Sequence, residues 1–430
     1  MAHWLDIVMI PLQIFIIFFT WYYFLVGFFG LWHKKERIFE APVSRFALVV
    51  AAHNEEAVVG QLVENFYALN YPRELVDIYV VADNCNDKTA EIASNAGAKV
   101  FERFNKSKRG KGYALEWLLG KLFAINKKYD GVCVFDADNL VHPDFLKIMN
   151  NRLLRGEKII QGFIDAKNPN DSWTAATFAM MFWVVNHVWH LAKYNMGLSC
   201  VLGGTGMCIS YELLKKFGWG ATCLVEDMEF TMKALAIGIP TTWAHEAIVY
   251  DEKPLTFKQS WIQRKRWVQG QFDVASRYVP ILIKNGIKRR DIRIFEGITP
   301  LLQPLFLIFS TLFLIAQKIT EYLYTDYGIA YKFTFILHQF LPVSIVNMFT
   351  TVQYVIMAYI LIRMSIGWRT WVYLPLYPVF MLTWVPLAFV GFWHRNKREW
   401  AHTTHSRAVN YKEILKQKGI NTDPDDQLNK

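Results

Sequence analysis

Apolar positions follow two regimes along this chain. Residues 4–32 and a block from about 294 to 394 are almost continuously apolar, each with runs of 18 or more nearly uncharged residues. As helices, such runs are long enough to cross a bilayer's hydrocarbon core of roughly 30 Å. Between the two blocks, short β-branched runs alternate with stretches of ten or more residues at helical spacing. Arg45-Phe46-Ala47-Leu48-Val49-Val50-Ala51-Ala52 predicts a buried strand, ended by His53-Asn54-Glu55-Glu56 and followed by a helix over about 56–69. Asp77-Ile78-Tyr79-Val80-Val81-Ala82 predicts a second strand, ending in Asp83-Asn84-Cys85-Asn86-Asp87, with a helix over about 87–96. A short third strand surrounds Lys99-Val100-Phe101, Gly110-Lys111-Gly112 opens a third helix, and 131–135 is a fourth strand running into Asp136-Ala137-Asp138. Strands alternating with helices in this way mean a parallel, doubly wound sheet. Each strand ends in polar residues, so one sheet edge collects the functional groups, where open α/β sheets bind ligands.

From about residue 158 the alternation weakens. Residues 172–195 read as a helix rich in Trp, Phe and His that lies against the membrane. Leu202-Gly203-Gly204-Thr205-Gly206-Met207 reads as a backbone-exposing loop, and Leu224 to Ala236 as a helix with Glu226 and Asp227 in its first turn. Residues 254–283 place Trp261, Ile262 and Trp267 among Lys and Arg, the composition of a helix lying in the membrane interface. The first apolar block reads as one helix bent at Pro11; it lacks a basic leader and a small-residue cleavage site, which makes it an uncleaved anchor. The second block gives a span at 294–317, a long stretch at 333–362 and a Pro-punctuated stretch at 371–394.

Charge orients these segments. The basic clusters at 33–37 and 284–290 both border the middle domain, so the positive-inside rule puts that domain in the cytoplasm. Three simple crossings after it would strand the basic residues at 394–398 on the far side. Either 333–362 makes two passes, or the last segment is re-entrant or interfacial. The net charge of +10 is explained by cations hugging the membrane edges. They form no single stripe with stacking aromatics, which disfavours nucleic acid as a partner. Five cysteines without metal-ligand spacing read as free thiols in a reducing compartment.

The chemistry concentrates at Asp136 and Asp138. Carboxylates one residue apart point to opposite faces of an ideal strand, so both reach one ion only if the strand ends between them. A hard divalent cation shared with a diphosphate suits such a pair, because Mg²⁺ keeps one or two carboxylates and fills its shell with phosphate oxygens and water. Taken alone, the other candidates have plainer readings. Asp83 can cap the helix at Asp87, Asp227 can complement a helix dipole, and Gln263, Arg266 and Trp267 can be interfacial-helix residues. The glycine loop at 203–206 lacks the Gly-Lys-Ser/Thr of a nucleotide P-loop.

Read together and in order, Ala52-His53-Asn54-Glu55-Glu56, Asp83, Lys111-Gly112, Asp136-Ala137-Asp138, Glu226-Asp227 and Gln263-Arg264-Lys265-Arg266-Trp267 resemble the membrane-embedded family 2 glycosyltransferases, which include cellulose and hyaluronan synthases. The resemblance implies a GT-A-like α/β cytosolic domain plus an α-helical transmembrane bundle with interfacial amphipathic helices. It divides the chain into an N-terminal membrane helix (1–34), the transferase domain (44–253), interfacial helices (254–290), a membrane bundle (291–394) and a basic tail (395–430). It further implies that Asp136 and Asp138 hold Mg²⁺ or Mn²⁺ and that His53, Asn54, Glu55, Asp83, Lys111, Asp136, Gln263 and Arg266 bind the nucleotide. Asp227 is implied as general base, with Gly204, Thr205, Glu226 and Trp267 around the acceptor. Trp400, Thr404 and Arg407 resemble, loosely, a gating loop. Glu226 is expected to raise the pKa of Asp227 by like-charge proximity.

The expected activity is an inverting, metal-dependent transfer from a UDP-sugar onto a growing β-linked polysaccharide at the plasma membrane, with repeated addition and export. A single addition to a lipid or short glycan is the second expectation. A transporter with a regulatory nucleotide-binding domain is the third.

Overall fold

The computed structural model describes residues 2–323, 340–396 and 411–414, apart from 39, 126, 342, 365 and 412. The proposed gating residues Trp400, Thr404 and Arg407 lie outside the described residues. Helix α1 (Ala2–Phe28), with Pro11 inside it, leads into the α/β domain. There the order is β1 (Phe46–Ala52), α2 (Val59–Tyr67), β2 (Val76–Asp83), α3 (Thr89–Asn95), β3 (Lys99–Arg103), α4 (Lys111–Ala124), β4 (Gly131–Asp136), β5 (Leu140–Val141) and α5 (Phe145–Leu154). These match the predicted strands closely, because β1, β2 and β4 are buried on both faces. Leu48 and Val50 pack with α2 and α5 on one side, while Ala47 and Val49 pack with α4 on the other. A sheet covered on both sides reads as continuous apolar runs.

The sheet is mixed, not wholly parallel. Its eight strands run β3-β2-β1-β4-β7-β6-β8-β5, and β7 (Met207–Ser210) is antiparallel to both β4 and β6 (Ile159–Ala166). Polar residues in the core hid these later strands from pattern reading. All eight residues of β6 are buried, yet the strand carries Gln161 and Asp165. Gln161 donates to Thr205 O at 2.9 Å, and Asp165 accepts from the Trp183 indole at 2.7 Å. Strand β8 (Thr242–Asp251) loses its alternation at a register shift, where Gly162 pairs Ala244 but Phe163 pairs Ile248.

Between β6 and β8 lie α6 (Trp173–Val184), a π-helical turn over Val185–Leu191, α7 (Ala192–Asn195), α8 (Tyr211–Phe217) and α9 (Glu226–Ala236). The stretch at 172–195 is thus three helical pieces, and it packs between the sheet and membrane-side segments, with Trp183 beside Met357 and Leu361. Helix α1 and the 3₁₀ turn after it (Phe29–Leu31) lie on the π turn through two glycines: a Cβ on Gly30 would sit 2.1 Å from His187 O, and one on Gly27 would sit 2.9 Å from Val188.

The predicted interfacial helices are one continuous helix, α10 (Phe257–Arg289), opened by a Thr256/Gln259 capping box. The short α11 (Ile292–Glu296) and then α12 (Thr299–Leu323) follow, with α13 (Val343–Arg363) beyond. The Pro-punctuated stretch is broken into α14 (Trp368–Trp371), a 3₁₀ turn (Leu374–Leu376), α15 (Tyr377–Leu382) and α16 (Trp384–Trp393). Among the described residues, three helical stretches are long and apolar enough to cross a membrane: Ile10–Leu31, Ile292–Ala316 and Trp368–Trp393. The five cysteines are free.

Close approach at Gly30 and open space at Gly120 in α4 give a paired prediction. Gly30→Ala should lower the unfolding temperature by prising α1 from the π turn. Gly120→Ala, exposed within a helix, should raise stability by about 0.4–1 kcal/mol. Thermal denaturation of the detergent-solubilised chain checks both.

Candidate active site

The parallel register sets the site. Ala52 of β1 lies beside Ala82 of β2, and Ala51 lies beside Asp136 of β4, so three strand ends share one edge. Asn54 and Asn84, just past β1 and β2, turn the chain with φ of +54° and +53°, values that Asn tolerates better than most residues. The His53 Nδ1–H donates to Asp83 O at 2.6 Å, and the Asn86 N–H donates to the Asn54 side chain at 3.0 Å. The Glu55 N–H donates to the Thr89 hydroxyl at 2.8 Å. His53, Asn54, Glu55 and Asp83 are therefore tied into one patch.

Asp83 does not cap the following helix; at the start of that helix it is Asp87 that accepts from the Thr89 N–H, at 3.0 Å. Asp83 is buried and ion-paired with Arg103 at the end of β3, whose guanidinium also donates to Lys108 O at 2.8 Å. Arg103 escaped sequence reading. The available signal was its position, as the last residue of a strand whose neighbours all end in functional groups.

Strand β4 ends at Asp136, so Ala137 and Asp138 lie in the turn beyond it and the condition for a shared ion is met. Asp136 stands partly open, with its side chain 36% exposed, whereas Asp138 is buried. Asp138 accepts from the Glu252 N–H at 3.2 Å, and its carbonyl accepts from Lys167 at 2.6 Å. The Asp136 N–H donates to Asn139 Oδ1 at 3.0 Å and the Thr205 hydroxyl at 3.2 Å. Asn139 donates onward to Asp251 at 3.0 Å. Lys167, Asp251 and Glu252 sit on or just past β6 and β8, and sequence reading missed them with those strands. Thr205, expected at the acceptor, is 2% exposed and braces this turn through Asn139.

The donor set at 136 and 138 is two hard carboxylates, which fits Mg²⁺ or Mn²⁺. Among the described residues no group of three or more His, Cys, Asp or Glu gathers into a metal cage, so phosphate and water are left to complete such a shell.

Lys111, the first residue of α4, joins the two halves of the site. Its ammonium donates to Asp136 Oδ1 at 2.5 Å and to Gly204 O at 2.7 Å. Gly204 has φ +83°, and a Cβ there would lie 3.3 Å from Asp227 Oδ2 and 3.8 Å from Lys111 Nζ. Only glycine keeps that corner open. Burial works against the Lys111 charge, but Asp136, Glu226 and Asp227 outweigh it and its pKa rises.

Asp227 is in the first turn of α9 and accepts from the Met228 N–H at 2.8 Å. Its pKa is raised by burial, against the pull of Met228 N–H, Lys111 and Arg266. Glu226 beside it is pushed up to about 7, first by burial and then by Asp227, and the repulsion between the two carboxylates belongs to the pair. Arg266 donates to Leu224 O at 3.3 Å, just ahead of α9. Trp267 packs edge-on against Phe178, 5.7 Å between centroids, and shares an apolar cluster with Cys223 and Met228. Gln263 is partly buried in α10, and its Oε1 has no hydrogen-bond partner.

Comparison with known proteins agrees with this architecture. Residues 42–270 match the glycosyltransferase-like family 2 model. The probable glycosyltransferase YdaM of Bacillus subtilis is 27% identical over 289 residues, which cover 65% of this chain and 64% of that one. The beta-monoglucosyldiacylglycerol synthase of Trichormus variabilis is 26% identical over 263 residues, covering 57% of this chain and 52% of that protein. The chain thus spans between about half and two thirds of the length of these relatives. Mannosyltransferase PcManGT from Pyrobaculum calidifontis, solved in complex with GDP-Man and Mn²⁺, superposes with a TM-score of 0.55 at 18% identity, over 83% of this chain and 98% of that one.

The raised Glu226 pKa carries a pH prediction. A carboxyl raised in the folded state stabilises fully below its unfolded value of 4.5, and loses that contribution as pH climbs through about 7. The unfolding temperature should fall across that window in the native chain, and Glu226→Gln should flatten the fall; thermal denaturation across pH reads it. With strand-end carboxylates, a glycine corner and a first-turn Asp on a GT-A-like fold, and a family match over more than half its length, this chain belongs to the family 2 glycosyltransferases.

Proposed function

We propose that the chain transfers a sugar, with inversion, from a UDP-sugar to an acceptor hydroxyl, using Asp227 as general base. The observation that carries this reading is the Lys111 bridge, which sets the Asp136 carboxylate and the Gly204–Asp227 corner on either side of one ammonium. Inversion needs the base and the leaving group on opposite faces of the sugar ring. Asp227, with its pKa raised by burial, is a stronger base than a solvated aspartate. Lys111 and Arg266 keep it ionised against that burial.

On this reading Asp136 and Asp138 hold Mg²⁺ or Mn²⁺, which when bound neutralises charge on the departing diphosphate. His53, Asn54, Glu55 and Asp83 form the nucleoside end, with Asp83 fixed by Arg103. Arg266 offers a planar fork to phosphate oxygens. Trp267 offers a ring face to the acceptor sugar, and Gly204 leaves room for its hydroxyl beside Asp227. The middle domain faces the cytoplasm.

The acceptor we propose is a growing β-linked polysaccharide, extended repeatedly beside the membrane helices. A second reading, one addition to a lipid, is favoured by the similarity to the monoglucosyldiacylglycerol synthase and by the closeness of Trp267 to the last apolar segment, since Phe178 meets both Trp267 and Phe380 of that segment.

Asp227→Asn should cut transfer from a UDP-sugar by roughly 10²–10⁴-fold while leaving UDP binding intact. Asp136→Asn, or chelation of divalent metal, should remove both transfer and metal-dependent UDP binding. Radiolabelled transfer and UDP calorimetry read these outcomes. Sizing the product separates polymer from a single glycolipid.

A further inference from the structure

Arg264 lies on α10, outside the cleft residues described above. It is one turn before Trp267 on α10, is fully buried, and has no carboxylate partner among the described residues. Its Nε donates to Ser260 O at 3.3 Å and its Nη1 to the Thr383 hydroxyl at 2.7 Å. The guanidinium carbon lies 4.3 Å from the Phe380 ring centre and 5.2 Å from that of Trp384. Nη2 is buried with no acceptor. Burial alone pushes this guanidinium down to about 10. A desolvated cation is costly unless an anion or a full set of hydrogen bonds meets it, and ring faces return only part of that cost.

The surroundings are short of an acceptor in the same sense. The Ser260 hydroxyl and the Trp384 indole N–H are buried and unpartnered. Ser260, Arg264 and Trp384 are donors, and buried donors left over around an arginine mark an anion site. Exposure of Val379 (57%) and Leu382 (67%) on the neighbouring helix turns this junction toward lipid.

We propose that Arg264, Ser260 and Trp384 bind the phosphate of an anionic lipid where α10 meets the last apolar segment. The phosphate oxygens take the free Nη2, the hydroxyl and the indole N–H, and the acyl chains follow the exposed apolar face of α15. The site is separate from the nucleotide edge and does not depend on the proposed acceptor.

The test titrates the full chain in neutral detergent with phosphatidylglycerol, with diacylglycerol bearing the same chains, and with inorganic phosphate, following the unfolding temperature. Phosphatidylglycerol should raise it by several degrees and diacylglycerol should not. Arg264→Met should weaken the phosphatidylglycerol effect at least about tenfold in concentration. Ser260→Ala and Trp384→Phe, milder changes that keep the fold if Arg264→Met does not, should each weaken it several-fold. If inorganic phosphate does as well as the lipid, the lipid assignment is overturned and the anion is soluble. Equal stabilisation by diacylglycerol, or a lipid response unchanged in all three variants, overturns the site itself.

Discussion

One ammonium group holds this active site together. Lys111 takes Asp136 with one hydrogen and the Gly204 carbonyl with another, with Glu226 and Asp227 close enough to govern its charge. Four acidic side chains converge within this edge of the sheet: Asp136, Asp138, Glu226 and Asp227. Without a cation among them, like-charge repulsion would drive protons onto several at once. The position of Lys111 follows from the backbone. Gly110, with φ +117°, lets the chain turn abruptly into α4, and Gly112 packs against Ala221 O so closely that a Cβ would sit 2.5 Å away. Two glycines thus lean α4 onto the segment leading into α9, and the lysine between them lands in the cleft.

The membrane-side elements act on the same cleft through α10. Val225 meets Gly270 of that helix within 3.1 Å of a would-be Cβ, so α9 and α10 sit tightly together. Gly391 of α16 approaches Val268 as closely, at 2.4 Å. Glu229 of α9 accepts from the Thr222 and Cys223 N–H groups, each at 3.0 Å, and pairs with Arg277 of α10. The turn that carries Asp227 is therefore clamped between the sheet and the helix carrying Trp267.

Much of this was legible in the residues. Strands β1, β2 and β4 are apolar on both faces, so their runs announce themselves, and their carboxyl ends located His53, Asn54, Glu55, Asp83, Asp136 and Asp138. The first-turn position of Asp227 was equally readable. What stayed hidden depends on the second half of the sheet. Gln161 and Asp165 look like surface residues until Thr205 and Trp183 supply their partners. Strand β8 hides its period in the His245-Glu246-Ala247 bulge. Losing those strands concealed Lys167, Asp251 and Glu252, and with them the support of Asp138. The rise expected for Asp227 is there, but its first cause is burial, which no local spacing reveals and which also leads the rise of Glu226.

The stereochemistry of the product bears most directly on a base that works opposite the leaving diphosphate. Proton NMR of material made from an α-linked UDP-sugar should show the transferred residue in the β configuration, with the large anomeric coupling of a diaxial pair for glucose-type sugars. An α-configured product would mean that Asp227 does not work across the ring from the leaving group, and would contradict the account.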